Sequence, residues 1–181
     1  YSTSDDLLWN YVVPINFSSA NAESIGQSTG FKLPRFVSTK SGESNLRIGA
    51  DMDYPIQLTY TFKNYPLEII DEYEIWRKVV DIDGNQGWIH KSLLQGNRYG
   101  VIKTTHDQPT QIYNKPEGIV IGKIGNRNIV KINKCFSSWC HISFNKYKGW
   151  INKLNIWGVY TNEEFNMPLY QFIINMYWKI I

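Results

Sequence analysis

The chain has 181 residues, 43% hydrophobic and 19% charged, with 8 Phe, 12 Tyr and 7 Trp. That content suffices for a packed core and excludes a wholly disordered or collagen-like chain. The net charge of +3 is too small for an evident nucleic-acid footprint, and the absence of any run of 18 apolar residues argues against a spanning helix.

Residues 1–34 read as an N-terminal arm. Its first 31 residues contain no Lys or Arg, and Ser18 to Gly30 is rich in Ser, Ala, Asn and Gly. The apolar stretch Leu7 to Phe17, followed by Ala20-Asn21-Ala22, has the small-x-small ending of a signal-peptide cleavage site, so the arm is read as a signal remnant to about residue 22. Asp5 and Asp6 stand where a basic leader would begin. The other reading is a disordered arm.

From Lys32 onward the signals are those of short strands. Pro66 to Asp71, Ile75 to Ile82 and Gly87 to His90 are β-branched and aromatic runs separated by Gly, Asp and Asn. Asp83-Gly84-Asn85 is read as a hairpin turn; with Asp81 it has a superficial likeness to a calcium loop but lacks the twelfth-position Glu. No helical apolar stripe lasts three turns between 32 and 158, so the fold class is all-β.

The pattern then repeats. Trp76-Arg77-Lys78-Val79 with Gly87-Trp88-Ile89-His90 returns as Trp139-Cys140-His141-Ile142 with Gly149-Trp150-Ile151-Asn152. The offset is one small barrel's length, which implies two tandem copies, 35–96 and 97–160, each marginal alone and packed on the other. Leu46, Ile69, Val79 and Ile89 are expected in the first core, and Val130, Ile142 and Ile151 in the second. Residues 161–181 form a short apolar tail. Thr161-Asn162-Glu163-Glu164 has capping-box spacing but Pro168 limits any helix, and Leu169 to Ile181 is too short to span a bilayer. Docking on the barrels is the favoured reading of the tail, with peripheral membrane contact or a frayed terminus the others.

These residues resemble the bacterial SH3-like family, in its tandem double-domain exported form. Asn45-Leu46-Arg47-Ile48-Gly49-Ala50 and Asp53-Tyr54-Pro55 are similar to the family's opening, and Leu33 to Ser38 and Trp157-Gly158-Val159-Tyr160 to the start and end of the double domain. In the second copy the opening has drifted to Gln111-Ile112-Tyr113-Asn114-Lys115-Pro116-Glu117. The resemblance implies two SH3-like β-barrels and a ligand face that includes Trp76. Where the eukaryotic relatives place a groove Pro and Tyr, this chain has His90 and Leu93, or Asn152 and Asn155, which argues against conventional PxxP binding.

Cys135 and Cys140 flank Phe136-Ser137-Ser138-Trp139. If they end the strands of a hairpin they face each other across a four-residue loop, and the Cys-x-x-x-Trp-Cys pattern resembles exported members in which the pair is oxidised. A disulfide is the favoured reading, two reduced core thiols the other. Zinc lacks a fourth ligand beside Cys135, Cys140 and His141, so no metal or cofactor is implied. No nucleophile–base–orienter set emerges: Cys140 and His141 point to opposite strand faces, and His106 with Asp107 falls in an interdomain loop. His90 and His141 are read as surface residues.

The chain is therefore expected to be a non-enzymatic binding module, exported to the periplasm or cell envelope, that recognises a peptide or cell-wall polymer. The ligand-binding candidates are Trp76, Tyr54, Tyr73, Trp88 and His90, with Trp139 as the second-copy equivalent. Strand alternation places Trp76 opposite the core-facing Val79, hence toward solvent. The alternatives are a cytoplasmic protein–protein adaptor and, more weakly, a nucleic-acid-binding barrel using Lys123, Arg127, Lys131, Lys134, Lys146, Lys148 and Lys153.

Overall fold

The structure, a computed structural model, describes residues 23–104 and 108–166. The expected signal remnant, His106 with Asp107, and the apolar tail beyond residue 166 lie outside the described residues.

A small hairpin, β1 (Ser24–Ile25) and β2 (Lys32–Leu33), precedes two seven-stranded antiparallel sheets. The first holds β3 (Arg35–Thr39), β4 (Ser44–Arg47), β5 (Ile56–Tyr60), β6 (Pro66–Tyr73), β7 (Trp76–Val80), β8 (Gln86–His90) and β9 (Leu94–Gln95), in the order β5-β4-β8-β7-β6-β3-β9. The second holds β10 (Tyr99–Ile102), β11 (Thr110–Tyr113), β12 (Val120–Ile124), β13 (Ile129–Phe136), β14 (Trp139–Phe144), β15 (Tyr147–Asn152) and β16 (Ile156–Trp157), in the matching order β12-β11-β15-β14-β13-β10-β16. The protein is all-β, with two tandem SH3-like barrels of one topology. The drifted opening of the second copy still forms a strand, since Tyr113 pairs with Trp150 as Arg47 pairs with Trp88.

Each barrel closes on its own core. Leu46, Ile69, Val79 and Ile89 are buried in the first, and Val130, Ile142 and Ile151 in the second. Gly87 and Gly149 let the strands approach: a Cβ at Gly87 would lie 2.7 Å from the Arg47 carbonyl oxygen, and one at Gly149 would lie 2.3 Å from Ile112. Asp81 is buried and accepts from the backbone N–H groups of Asp83 and Asn85, which makes 81–85 a side-chain-tied turn with Gly84 at φ 83°.

The long hairpin of each barrel carries a β-bulge, between Ile69 and Asp71 in one and between Ile132 and Lys134 in the other. The extra residue reverses the inward–outward alternation, so Glu72 and Cys135 turn inward toward Arg77 and Cys140. Cys135 and Cys140 form a disulfide. Beyond them Phe136 still pairs with Trp139, leaving a two-residue turn with Ser137 at φ 47° rather than the four-residue loop expected. Glu72 and Arg77 occupy the same two positions in the first barrel, and there the cross-link is ionic.

Glu72 is a hub. Its Oε1 lies 2.7 Å from Arg35 Nη2 and 3.6 Å from Arg77 Nε, and Oε2 accepts from the N–H groups of Ser28 and Thr29 at 3.2 and 2.9 Å. These bonds lay the β1–β2 hairpin over the barrel end. In the second barrel Cys135 exchanges two backbone hydrogen bonds with Phe165, so residues 161–166 are strapped to the corresponding place. No helix begins at Thr161; Glu163 instead pairs with Arg98 and accepts from Tyr160 N–H.

The two barrels touch through Phe36, whose ring meets Trp157 at 5.1 Å and Tyr160 at 4.8 Å under the Arg98 guanidinium. Tyr160 Oη donates to Glu68, and Arg127 pairs with Asp83. Burial and the neighbouring Glu68 carboxylate raise the Tyr160 hydroxyl pKa.

Burial alone would raise the Glu72 pKa, but the hydrogen bonds from Thr29 and Arg35 and the charges of Arg35 and Arg77 outweigh it and hold the carboxyl below its ordinary 4.5. A depressed folded-state pKa gives stability that is complete above 4.5 and is lost as pH falls through the folded value. Glu72→Gln is therefore expected to cost about 3 kcal/mol at neutral pH. The gap from wild type should close on acidification below pH 4.5, as followed by denaturant unfolding at several pH values. The double change Cys135→Ala/Cys140→Ala removes a short covalent loop and should cost about 2 kcal/mol in the same assay.

Candidate functional site

The turn closing the β6–β7 hairpin lifts Ile75 beside Trp76, and across the sheet Trp76 pairs with His90. Together with Asn45, Arg47 and Met52 they line a groove of ≈ 410 Å³. His90 ends β8 and caps the short 3-10 turn Lys91–Leu93: its Nδ1 accepts from Ser92 N–H at 3.2 Å and lies 2.7 Å from Ser92 Oγ. In the neutral ring this acceptor role leaves the proton on Nε2, available as a donor. The ring stands edge-on to the Trp76 indole, 5.5 Å between centroids.

Trp76 itself is only 4% exposed, which corrects the expectation that it faces solvent. Alternation does place it opposite Val79, but the His90 ring stands against the indole, and Ile75, Met52 and Leu93 line the same groove. It is the groove's floor, so its removal acts on stability as well as on any ligand. What the groove offers to solvent is its rim. Met52 is 64% exposed and Ile75 42%; Tyr54, 48% exposed, and Tyr73, the cross-strand partner of Trp76 and 54% exposed, lie outside the groove lining. Trp88 is half-buried on the outer face of β8, outside the groove lining.

Tyr54 is held on the β4–β5 loop by two features. Arg47 Nη1 donates to its carbonyl oxygen at 2.6 Å, and its ring lies over Gly49, where a Cβ would be 2.5 Å from the ring. The sequence motif Arg47-Ile48-Gly49 thus shapes the groove wall: one residue holds the loop, and the other leaves room for the ring.

The sequence profile of the bacterial SH3 domain matches residues 40–96 and 115–158, more than half of the chain. The chain belongs to the bacterial SH3 domain family. No curated protein matches it. Solved structures similar to it include NlpC1 from Trichomonas vaginalis, at 16% identity over 73% of this chain and 48% of that one, with a TM-score of 0.32. NlpC2 from the same organism shares 16% identity over 74% and 51%, TM-score 0.32. An NlpC/P60 family protein from Bacillus cereus shares 12% over 77% and 61%, TM-score 0.31. The chain spans between 48% and 61% of the length of these proteins.

The second SH3 copy has a corresponding groove of different character. Trp139, half-buried, stands edge-on to Tyr113 at 5.2 Å, and the surrounding lining is Gln111, Thr110, Asn152 and Asn155. Asn152 takes over the capping role of His90, its Oδ1 accepting from Leu154 N–H at 3.0 Å. His90 and Asn152 therefore share one local task.

The two histidines expected at the surface are both half-buried. His141 packs edge-on to Trp150 and lies 3.1 Å from Asn133 Nδ2; burial first, then the charges of Lys134 and Lys148, lower its pKa. The basic cluster of this copy is also smaller than its sequence suggests. Lys153 is buried, donating to the carbonyl oxygens of Thr161 and Glu163, and burial lowers its pKa. Arg127 is neutralised by Asp83, and Lys134 lies over the Trp150 ring. Among the described residues no three His, Cys, Asp or Glu side chains gather as a metal set, and no helix is long and apolar enough to cross a membrane.

Sequence reasoning missed Asn45, Met52 and Ile75 as groove residues. The signal was the match of Asn45 to the family opening, read for fold but not for its position beside Trp76. Gly49→Ala is expected to displace the Tyr54 ring while costing less than about 1 kcal/mol, because Gly49 lies outside both cores. Loss of the nuclear Overhauser contacts between residue 49 and the Tyr54 ring, with a near-native unfolding curve, checks it.

Proposed function

We propose that this protein is a non-catalytic binding module of the cell envelope, taking a peptide or peptidoglycan-related ligand in the groove over Trp76. The observation that carries the reading is the combination at one place of an indole floor, a rim of exposed apolar side chains and polar groups of Asn45, Arg47 and His90. Exposed apolar groups clustered around a cleft mark interaction surfaces, and the polar groups supply direction for a peptide-like backbone. Membership of the bacterial SH3 family and the Cys135–Cys140 disulfide support an exported location, since disulfides persist in oxidising compartments.

Binding is tested with soluble peptidoglycan fragments and their stem peptides. Ile75→Ser and His90→Asn, the latter keeping the cap that Asn152 makes in the second copy, should each weaken binding by about tenfold while costing less than about 1 kcal/mol of stability, whereas Trp76→Ala should lower both. Unchanged affinity in the first two variants would remove the groove as the site. Recovery of the native protein from the cytoplasm with Cys135 and Cys140 reduced would instead favour a protein–protein adaptor.

A further inference from the structure

The second barrel covers with its own chain a place that the first leaves part-filled. Arg35 stands beside Ile69 as Arg98 stands beside Ile132, and Lys91 follows His90 as Lys153 follows Asn152. In the second barrel residues 161–165 lie over this end. The Glu163 carboxylate takes both terminal nitrogens of Arg98, and the Phe165 ring lies 5.0 Å from its guanidinium carbon. The carbonyl oxygens of Thr161 and Glu163 accept from Lys153 at 3.2 and 2.7 Å. In the first barrel the Phe31 ring takes the place of Phe165, 5.4 Å from the Arg35 guanidinium carbon. Glu72 pairs with Arg35 Nη2, but Arg35 Nη1 is buried without a hydrogen-bond partner, and Lys91 is exposed. Only Asn97 and Arg98 separate Gly96 from β10, so the chain leaves for the second barrel where, after the matching Gly158, it turns back as the strap. What remains is a pocket of ≈ 220 Å³ whose lining includes Phe31, Arg35, Ile69, Arg77, Lys91 and Gly96, with no Asp or Glu. Arg35 and Arg77 share the core-facing side of their strands, since Arg35 pairs with buried Ile69 and Arg77 with buried Ile89.

We propose that this pocket binds an extended acidic peptide segment of a partner protein, which does for the first barrel what residues 161–165 do for the second. Arg35 and Arg77 share the one carboxylate of Glu72, and Lys91 adds a third cation, so the place carries a surplus of positive charge. A covered guanidinium N–H without an acceptor costs free energy that a carboxylate oxygen relieves, and an Arg–carboxylate pair is the arrangement the second barrel already has at Arg98. Main-chain carbonyls satisfy Lys153, whereas among the described residues no carbonyl accepts from Lys91, which favours a peptide over a bare anion. Arg77 points to the opposite strand face from Trp76, so the site is separate from the Trp76 groove and stands independently of the function proposed for it.

The probe is the strap's own sequence, the acetylated and amidated peptide Tyr-Thr-Asn-Glu-Glu, titrated into the full chain and followed by heteronuclear NMR. It should give saturable shifts at Arg35, Lys91 and Gly96, with the methyl signals of Met52 and Ile75 unmoved. The same peptide with both Glu replaced by Gln should bind the unaltered chain about tenfold more weakly. Lys91→Glu, at an exposed position outside the core, should weaken the acidic peptide by about fivefold and abolish its advantage over the Gln peptide, with an unchanged melting temperature. Absence of saturable shifts, equal binding of the two peptides by the unaltered chain, or undiminished binding of the acidic peptide in Lys91→Glu would each overturn the proposal. So would shifts confined to Met52 and Ile75, which place the peptide in the Trp76 groove, or to Lys153 and Phe165, which show it only displacing the second barrel's strap.

Discussion

The cross-link at the end of the long hairpin is the constraint on which the rest of the molecule depends. In each barrel a bulge turns one residue of β6 or β13 inward against its neighbour on β7 or β14, and the pair closes a two-residue turn. Without the bulge, Glu72 and Cys135 would point outward with no partner. The pair fixes the turn, the turn sets Ile75 beside Trp76, and those two residues form one side of the groove. The same position anchors each flanking segment: Glu72 receives the hydrogen bonds of the β1–β2 hairpin, and the Cys135 backbone receives those of Phe165.

That one position is solved by two chemistries. A disulfide limits the unfolded chain and needs no counter-charge. A buried ion pair must overcome the desolvation of both partners, and Glu72 does so with two guanidinium groups and three hydrogen-bond donors from Ser28 and Thr29. The ionic version thus makes the N-terminal hairpin part of the first barrel's stability, whereas the covalent version is complete within its own turn. Tandem copies of one topology have in this way acquired different dependence on their flanks.

The copies also divide their open surfaces. The first has an apolar, aromatic groove over Trp76; the second has a polar groove beside Trp139. The difference arises from side chains at matched register positions, not from a change of topology. The interface between the barrels rests on Phe36 between Trp157 and Tyr160, with Arg98 joining Phe36, Gly158 and Glu163. Phe36 of β3 and Trp157 of β16 meet there, so a strand of each barrel takes part in the contact.

The sequence by itself determined the all-β class, the tandem repeat and the cores, because alternation of β-branched residues, turn punctuation and repeat spacing are local properties. Val79 and Ile142 are legible in this way, and so are the Gly-Trp-Ile strands. The candidate groove was legible only in part: Trp76 and His90 could be named, but not that pairing of β7 with β8 sets the His90 ring against a buried Trp76. Bulges were invisible, since one extra residue leaves no mark in composition, and with them went the inward turn of Glu72 and its pairing with Arg77. The buried Lys153 looked like any surface lysine until the carbonyls of Thr161 and Glu163 were brought to it. Tertiary structure alone decided these features because each depends on what a distant strand or strap lays over a residue, and alternation specifies a face without specifying its cover.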